Sequence, residues 1–263
     1  MAQESVIYQL DLRGVATVTL NRPDKRNAFD DAVIERLHGV IDDIRGSGDV
    51  RVVLLTGRGK SFCAGADLGW MKRMAAYSAA ENTDDARRLS DLLAALNGLS
   101  MPTVALVQGA AMGGGAGLVA CCDIAIAVRS CRFAFSEVNL GLIPAMISPY
   151  VLDAIGARAA QRYFLTGEAF DGDDARRIGL VHELVASDEA LAAQGEFVVG
   201  QILESGPEAA VEAKKLIRDV AHAVDDDELR SDLACRIAER RASTEGQEGM
   251  AAFFERRKPR WAG

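Results

Sequence analysis

The sequence predicts an α/β fold, a largely parallel sheet with crossing helices, followed by a mainly helical C-terminal region. Three observations lead there. Short apolar runs alternate with segments of helical periodicity as far as residue 128. Two of those runs are each followed by a small-residue loop that opens a helix. After Pro149 the strand signals give way to helical ones.

Taken in order, residues 6–10 and 15–20 read as a hairpin around the turn at 11–14. NRPDKRNAFD (21–30) is turn-rich, with Pro23 and Asp24 together. Val33, Leu37, Val40, Ile41 and Ile44 then recur at helical spacing. Residues 52–56 form a buried-strand pattern, and the loop GRGKSFCAGADL (57–68) leads to a helix at 68–76. A longer helix is expected at 85–97, a buried strand at 103–108, a short glycine-led helix from 113 to about 121, and a strand at 124–128. Helical segments follow at 152–156, 159–165, 173–178, 189–203, 209–221 and 228–241. These divide the chain into a core at 1–195 and a helical region at 196–263.

Composition removes several classes of function. Hydrophobic residues make up 49% and charged residues 26%, which is ordinary globular usage. A net charge of −8 opposes general affinity for nucleic acid. No basic flank and apolar core mark a secretory leader, and no apolar run approaches the ~18 residues of a membrane span. The five cysteines lack CxxC spacing and the three histidines lack an HExxH pattern. The expectation is a cytoplasmic protein without a metal, with no nucleic-acid or membrane partner.

CAGAD (63–67) follows the strand at 52–56, and GGGAG (113–117) follows the strand at 103–108. Both turns lie at the carboxyl ends of parallel strands, where α/β proteins collect ligands. The first N–H groups of a helix lack an internal acceptor and carry partial positive charge. The amides of Ala66 and Gly114 sit where such donors point outward. If both face one spot, they bind an oxygen that gains negative charge, each worth roughly 2.7–4 kcal/mol in a transition state. GRGKS (57–61) fails as a phosphate loop because Leu54 stands where the first glycine is required. GGGAG likewise lacks dinucleotide-site spacing, since Leu118 replaces the last glycine.

Between Asp91 and Asp153 the only acids are Asp123 and Glu137. Asp123 reads as a structural residue at a strand entry. Glu137 lies in the apolar run RFAFSEVNLGLIP, where desolvation raises a carboxyl pKa toward a useful range.

These segments together resemble the enoyl-CoA hydratase/isomerase (crotonase) family over nearly the whole chain. The likeness rests on NRPDKRNAF (21–29), FCAGADL (62–68), PTVALVQGAAMGGGAG (102–117), CDIAIA (122–127), FSEVNLGLIP (135–144) and EGMAAFFERRKP (248–259). The resemblance implies a spiral of ββα units with a helical C-terminal trimerisation region, as a homotrimer or a dimer of trimers. It implies an acyl-CoA thioester substrate, with coenzyme A entering as part of the substrate and no permanently bound cofactor. Ala66 and Gly114 are then the oxyanion donors, and Glu137 matches the second of two family glutamates. The first falls at Gly117, which has no side chain.

A narrower likeness to bacterial methylglutaconyl-CoA and isohexenylglutaconyl-CoA hydratases is carried by ADLGWM (66–71), VQGAAMGGGAGLVACCD (107–123), SPYVLDAIGARAAQRY (148–163) and STEGQEGMAAF (243–253). It implies a branched glutaconyl ester, whose distal carboxylate would look to Lys72, Arg73, Arg87 or Arg88. The expected coenzyme contacts are Lys25, Arg26, Ala28, Ala64, Asp67 and Leu68, with Phe253 and Arg256 reaching a neighbouring subunit. Met71, Gly117 and Pro144 are expected at the acyl pocket. Hydration leads; isomerisation by a lone Glu137, or acyl-CoA binding without chemistry, are the alternatives.

Overall fold

A computed structural model describes residues 4–262; residues 1–3, part of the N-terminal stretch read above, and residue 263 lie outside the described residues. The chain opens with β1 (Val6–Leu10) and β2 (Val15–Leu20), paired antiparallel. Asp11 closes their turn by accepting from the amides of Arg13 and Val15. α1 (Asp31–Gly46) is capped by Asp30, which accepts from Val33 N–H, and its periodic apolar residues are buried. β3 (Val52–Gly57) then lies parallel to β2.

α2 (Leu68–Met74) and α3 (Ala79–Asn97) follow. α3 begins six residues before the expected 85, because Ser78 and Glu81 form a reciprocal capping box there. Next come β4 (Thr103–Val107), β5 (Ala110–Met112), α4 (Gly114–Ala120), β6 (Ile124–Val128) and β7 (Arg132–Ala134). α5 (Ser148–Thr166) spans both helical segments expected at 152–165, and the break between them survives as a kink at Gly156, φ 71°. β8 (Phe170–Asp171), α6 (Gly172–Ile178), β9 (Glu183–Val185) and α7 (Asp188–Glu204) follow, then α8 (Pro207–Val220), α9 (Asp227–Ala242) and α10 (Thr244–Glu255).

The main sheet has the order β1-β2-β3-β4-β6-β9, parallel from β2 onward; a second sheet has the order β5-β7-β8. Each turn of the chain sends one strand to the main sheet and a shorter extended piece beside it, then a helix. β4–β5–α4 and β6–β7–α5 repeat this outright. In the two preceding turns the short piece is a single bridge, Phe29 to Ala66 and Cys63 to Ala111. This is the expected spiral of ββα units.

The start of β4 and β6 is fastened by Asp123, which accepts from the Thr103 amide (2.7 Å) and hydroxyl (2.8 Å) and pairs with buried Lys214 of α8 (2.6 Å). Asp123 is therefore structural, as read from sequence. Residue 195 lies in the middle of α7, whose Leu191, Gly195 and Val199 are buried and which packs on β4, β6 and β9. Beyond Glu204, α8, α9 and α10 bury only Lys214 and Ala252 among the described residues. No helix is long and apolar enough to cross a membrane, and no cluster of three or more metal-ligating side chains occurs among the described residues.

Candidate active site

Two loops are brought side by side by the bridge between Cys63 and Ala111. Cys63 N–H donates to Ala110 C=O (3.0 Å), and Met112 N–H donates to Cys63 C=O (3.0 Å). Ala66 comes three residues after Cys63, and Gly114 three after Ala111, so the two strands deliver their donors level with each other. The residue before each donor is a glycine at positive φ, Gly65 at 89° and Gly113 at 50°. That backbone region is costly for a side chain, and it turns the following amide out of the strand direction. Neither the Ala66 nor the Gly114 amide has a backbone acceptor among the described residues.

Glu137 begins a short 3₁₀ turn just after β7. β7 is held against the Gly113 turn by the Gly113 N–H donating to Ala134 C=O (2.8 Å). A Cβ on Gly113 would stand 3.0 Å from Glu137 Oε1, so the carboxyl lies directly against the donor loop. Glu137 Oε2 is buried and has no hydrogen-bond partner among the described residues. Burial pushes this carboxyl above its ordinary pKa, opposed in part by a bond to its own backbone N–H.

Ala66, Gly114 and Glu137 face one cavity of about 460 Å³. α2 contributes Trp70 and Met71, and α3 contributes Asn82, Asp85 and Leu89. Loop residues 142–147 close it, including Pro144 and Ile147. An oxygen held by the two amides would thus sit beside a protonatable acid inside an apolar enclosure, which suits enolate chemistry. A wider groove of about 810 Å³, between the β1–β2 turn and Trp261, contains none of these three groups.

The expected coenzyme residues gather along one edge, because loops 22–29 and 63–67 are joined by three backbone bonds. Ala64 N–H donates to Arg26 C=O, Phe29 N–H to Gly65 C=O, and Asp67 N–H to Phe29 C=O, each 2.9 Å. Lys25, Arg26, Ala28, Ala64 and Leu68 therefore lie together. Asp67 does not offer a free carboxylate to a ligand. It caps α2 through Gly69 and Trp70 N–H and pairs with Lys25 (2.8 Å) and Arg22 (3.3 Å). The Lys25 ammonium chiefly holds its pKa down at about 2. Phe253 and Arg256, at the end of α10, are exposed and do not line the cavity.

Of the residues expected at the acyl pocket, Met71 and Pro144 line the cavity; Gly117 does not, because Ile147 covers it. The cations put forward for a distal carboxylate also stay out. Lys72, Arg73, Arg87 and Arg88 are exposed, and Arg73 is paired with Asp31 (2.6 Å). Helical charges tend to face solvent, and these do. Sequence reasoning missed Ile147, Trp70 and Asp85. The signal for Asp85 was present: it occupies the apolar stripe of α3, in line with Leu89, Leu92 and Leu96, where a carboxylate is out of place.

Comparison with known proteins identifies the family and the fold. The family model for enoyl-CoA hydratase/isomerase matches residues 11–263. A crotonyl-CoA hydratase of Syntrophomonas wolfei is 31% identical over 260 residues, covering 98% of this chain and 98% of its own. The crystal structure of an enoyl-CoA hydratase from Shewanella pealeana superposes with a TM-score of 0.93 at 41% identity, covering 98% of this chain and 96% of that one. Pseudomonas aeruginosa AtuE gives a TM-score of 0.93 at 36% identity, covering 99% and 100%.

Proposed function

The chain belongs to the enoyl-CoA hydratase/isomerase family, and on that premise we propose that it adds water across the 2,3 double bond of an enoyl-CoA thioester. The observation that carries this reading is the buried, unpartnered Glu137 Oε2 beside the Gly113–Gly114 turn. The thioester oxygen rests between the Ala66 and Gly114 amides, which stabilise it as its charge grows. Water bonds to the β-carbon and Glu137 in its acid form delivers a proton to the α-carbon; the proton that the attacking water sheds makes good, through exchange with solvent, the one Glu137 gives up. Burial favours that form by disfavouring the carboxylate. Lys25 and Arg26 meet the coenzyme phosphates at the rim.

Isomerisation is the second reading, and Ile147 favours it. With the space beside Gly117 filled, the expected first glutamate position supplies no acid, and a lone Glu137 can remove and return a proton. The finer substrate reading is 3-methylglutaconyl-CoA or a related branched ester, supported by the narrower sequence likeness. Since no lysine or arginine lines the cavity among the described residues, uncharged donors such as Asn82 and Ser136 would have to receive its distal carboxylate.

The test is turnover of crotonyl-CoA, 3-methylglutaconyl-CoA and a 3-enoyl-CoA, followed by enoyl-thioester absorbance and product chromatography. Hydration of either 2-enoyl ester supports the reading. Conversion of the 3-enoyl ester alone transfers it to isomerisation, and no turnover on any leaves a binding protein.

A further inference from the structure

Hydration needs water placed and deprotonated at the β-carbon, and Gly117 offers nothing for that task. The cavity nevertheless contains a second carboxylate, Asp85 of α3. Asp85 is 7% exposed, on a helix face otherwise given to leucines. The one hydrogen bond to its carboxylate among the described residues comes from the buried indole Trp70 Nε1 to Oδ1, at 3.3 Å. A buried carboxylate with a single long bond is expensive to keep unless another donor completes it. No basic side chain lines the cavity among the described residues to act as that donor. A water molecule inside the cavity fits the requirement.

We propose that Asp85 is the second acid–base group of this site, holding the attacking water and taking its proton, in place of the glutamate that Gly117 lacks. The inference rests on the hydratase reading. As the water oxygen bonds to the β-carbon, one of its hydrogens passes to Asp85. The π electrons move through the α-carbon to the thioester oxygen between Ala66 and Gly114. That charge returns as Glu137 gives its proton to the α-carbon. Asp85 ends protonated and Glu137 ionised, and exchange with solvent at the cavity mouth restores both. Trp70 is the positioning residue, since it fixes the other carboxylate oxygen.

Asp85→Asn keeps the shape and an acceptor for Trp70 but cannot take a proton. Its hydration kcat should fall about 100-fold or more. KM should stay within about threefold, and the melting temperature close to that of the parent. Solvent-deuterium exchange at the α-carbon, the task of Glu137, should fall far less than hydration does. Asp85→Glu should recover part of kcat. Trp70→Phe, which removes the tether but keeps a ring, should lower kcat by a smaller factor. Hydration by Asp85→Asn within threefold of the parent overturns the proposal. A parallel loss of KM, exchange and thermal stability also overturns it, because Asp85 would then be a support for α2. Failure of the parent itself to hydrate any 2-enoyl ester refutes the underlying reading instead.

Discussion

Ile147 occupies the space into which a side chain at Gly117 would grow: its Cβ stands 2.9 Å from the position a Cβ on Gly117 would take, and its Cγ2 is closer still. A glutamate at 117 therefore requires loop 142–147 to move, so the single-acid character of this stretch is built into the packing. Gly117→Ala should destabilise the fold by about 1–3 kcal/mol through overpacking. The same change in an Ile147→Ala background should cost clearly less, a coupling that urea denaturation of the four proteins measures. Equal costs in both backgrounds would show that the loop adapts freely.

Glu137 joins function to a local cost. Its folded pKa is raised, so its stabilising contribution is complete below the ordinary carboxyl value and is lost as pH rises through the folded one. Glu137→Gln removes that loss. The variant should melt higher than the parent at neutral pH and lose activity by about 100-fold or more. The parent's hydration rate should also fall as pH rises through the same ionisation, since the acid form is the proposed proton donor. A variant that melts lower, or retains turnover, contradicts the assignment.

Ala66→Pro deletes one amide that has no backbone acceptor among the described residues, so it removes the proposed donor to the substrate without breaking an existing backbone bond. Loss of one such donor costs about 10²–10³ in kcat. Affinity for a saturated acyl-CoA, measured by calorimetry, should change far less. An unchanged kcat would place the thioester oxygen elsewhere.

The parallel strands were legible because β2, β3, β4 and β6 are apolar runs bounded by turns, and α1 because its apolar stripe is complete. β5, β7 and β8, two or three residues each, are too short to carry a period. α10 is not legible in the same way because its glycines Gly246 and Gly249 interrupt the pattern, although Ser243 caps it. The two glycine-containing loops and Glu137 are picked out by local sequence, and the fold brings them to one cavity. Asp85 shows in the sequence only as a carboxylate within an apolar stripe, and its place in the cavity, like that of Ile147, depends on what the fold brings together.

The C-terminal helices leave an apolar surface that a single chain does not cover. Ile217, Ile237, Phe253 and Phe254 are 69%, 50%, 79% and 78% exposed. We expect this surface to be buried between subunits, with a solution mass near three or six times 28.1 kDa by light scattering. Ile217→Asp combined with Ile237→Asp should lower that mass. A parent that runs as a monomer across micromolar concentrations rules the assembly out.

Asp67 separates structural from ligand-binding charge at the rim. Its side chain caps α2 and pairs with Lys25 and Arg22, so Asp67→Ala loses both functions and should cost about 1–2 kcal/mol. Asp67→Asn keeps the cap acceptor and should cost less. Because the folded pKa is depressed to about 2, the ionised side chain stabilises the fold above the ordinary value of 3.8, and this contribution disappears as pH falls from there toward 2. Denaturation midpoints taken between pH 5 and 2 should fall less steeply for Asp67→Asn than for the parent. The freed Lys25 should, in the same variant, leave the KM for acyl-CoA unchanged or lower. A raised KM, with the acid profile unaltered, would mean that Asp67 meets the coenzyme directly.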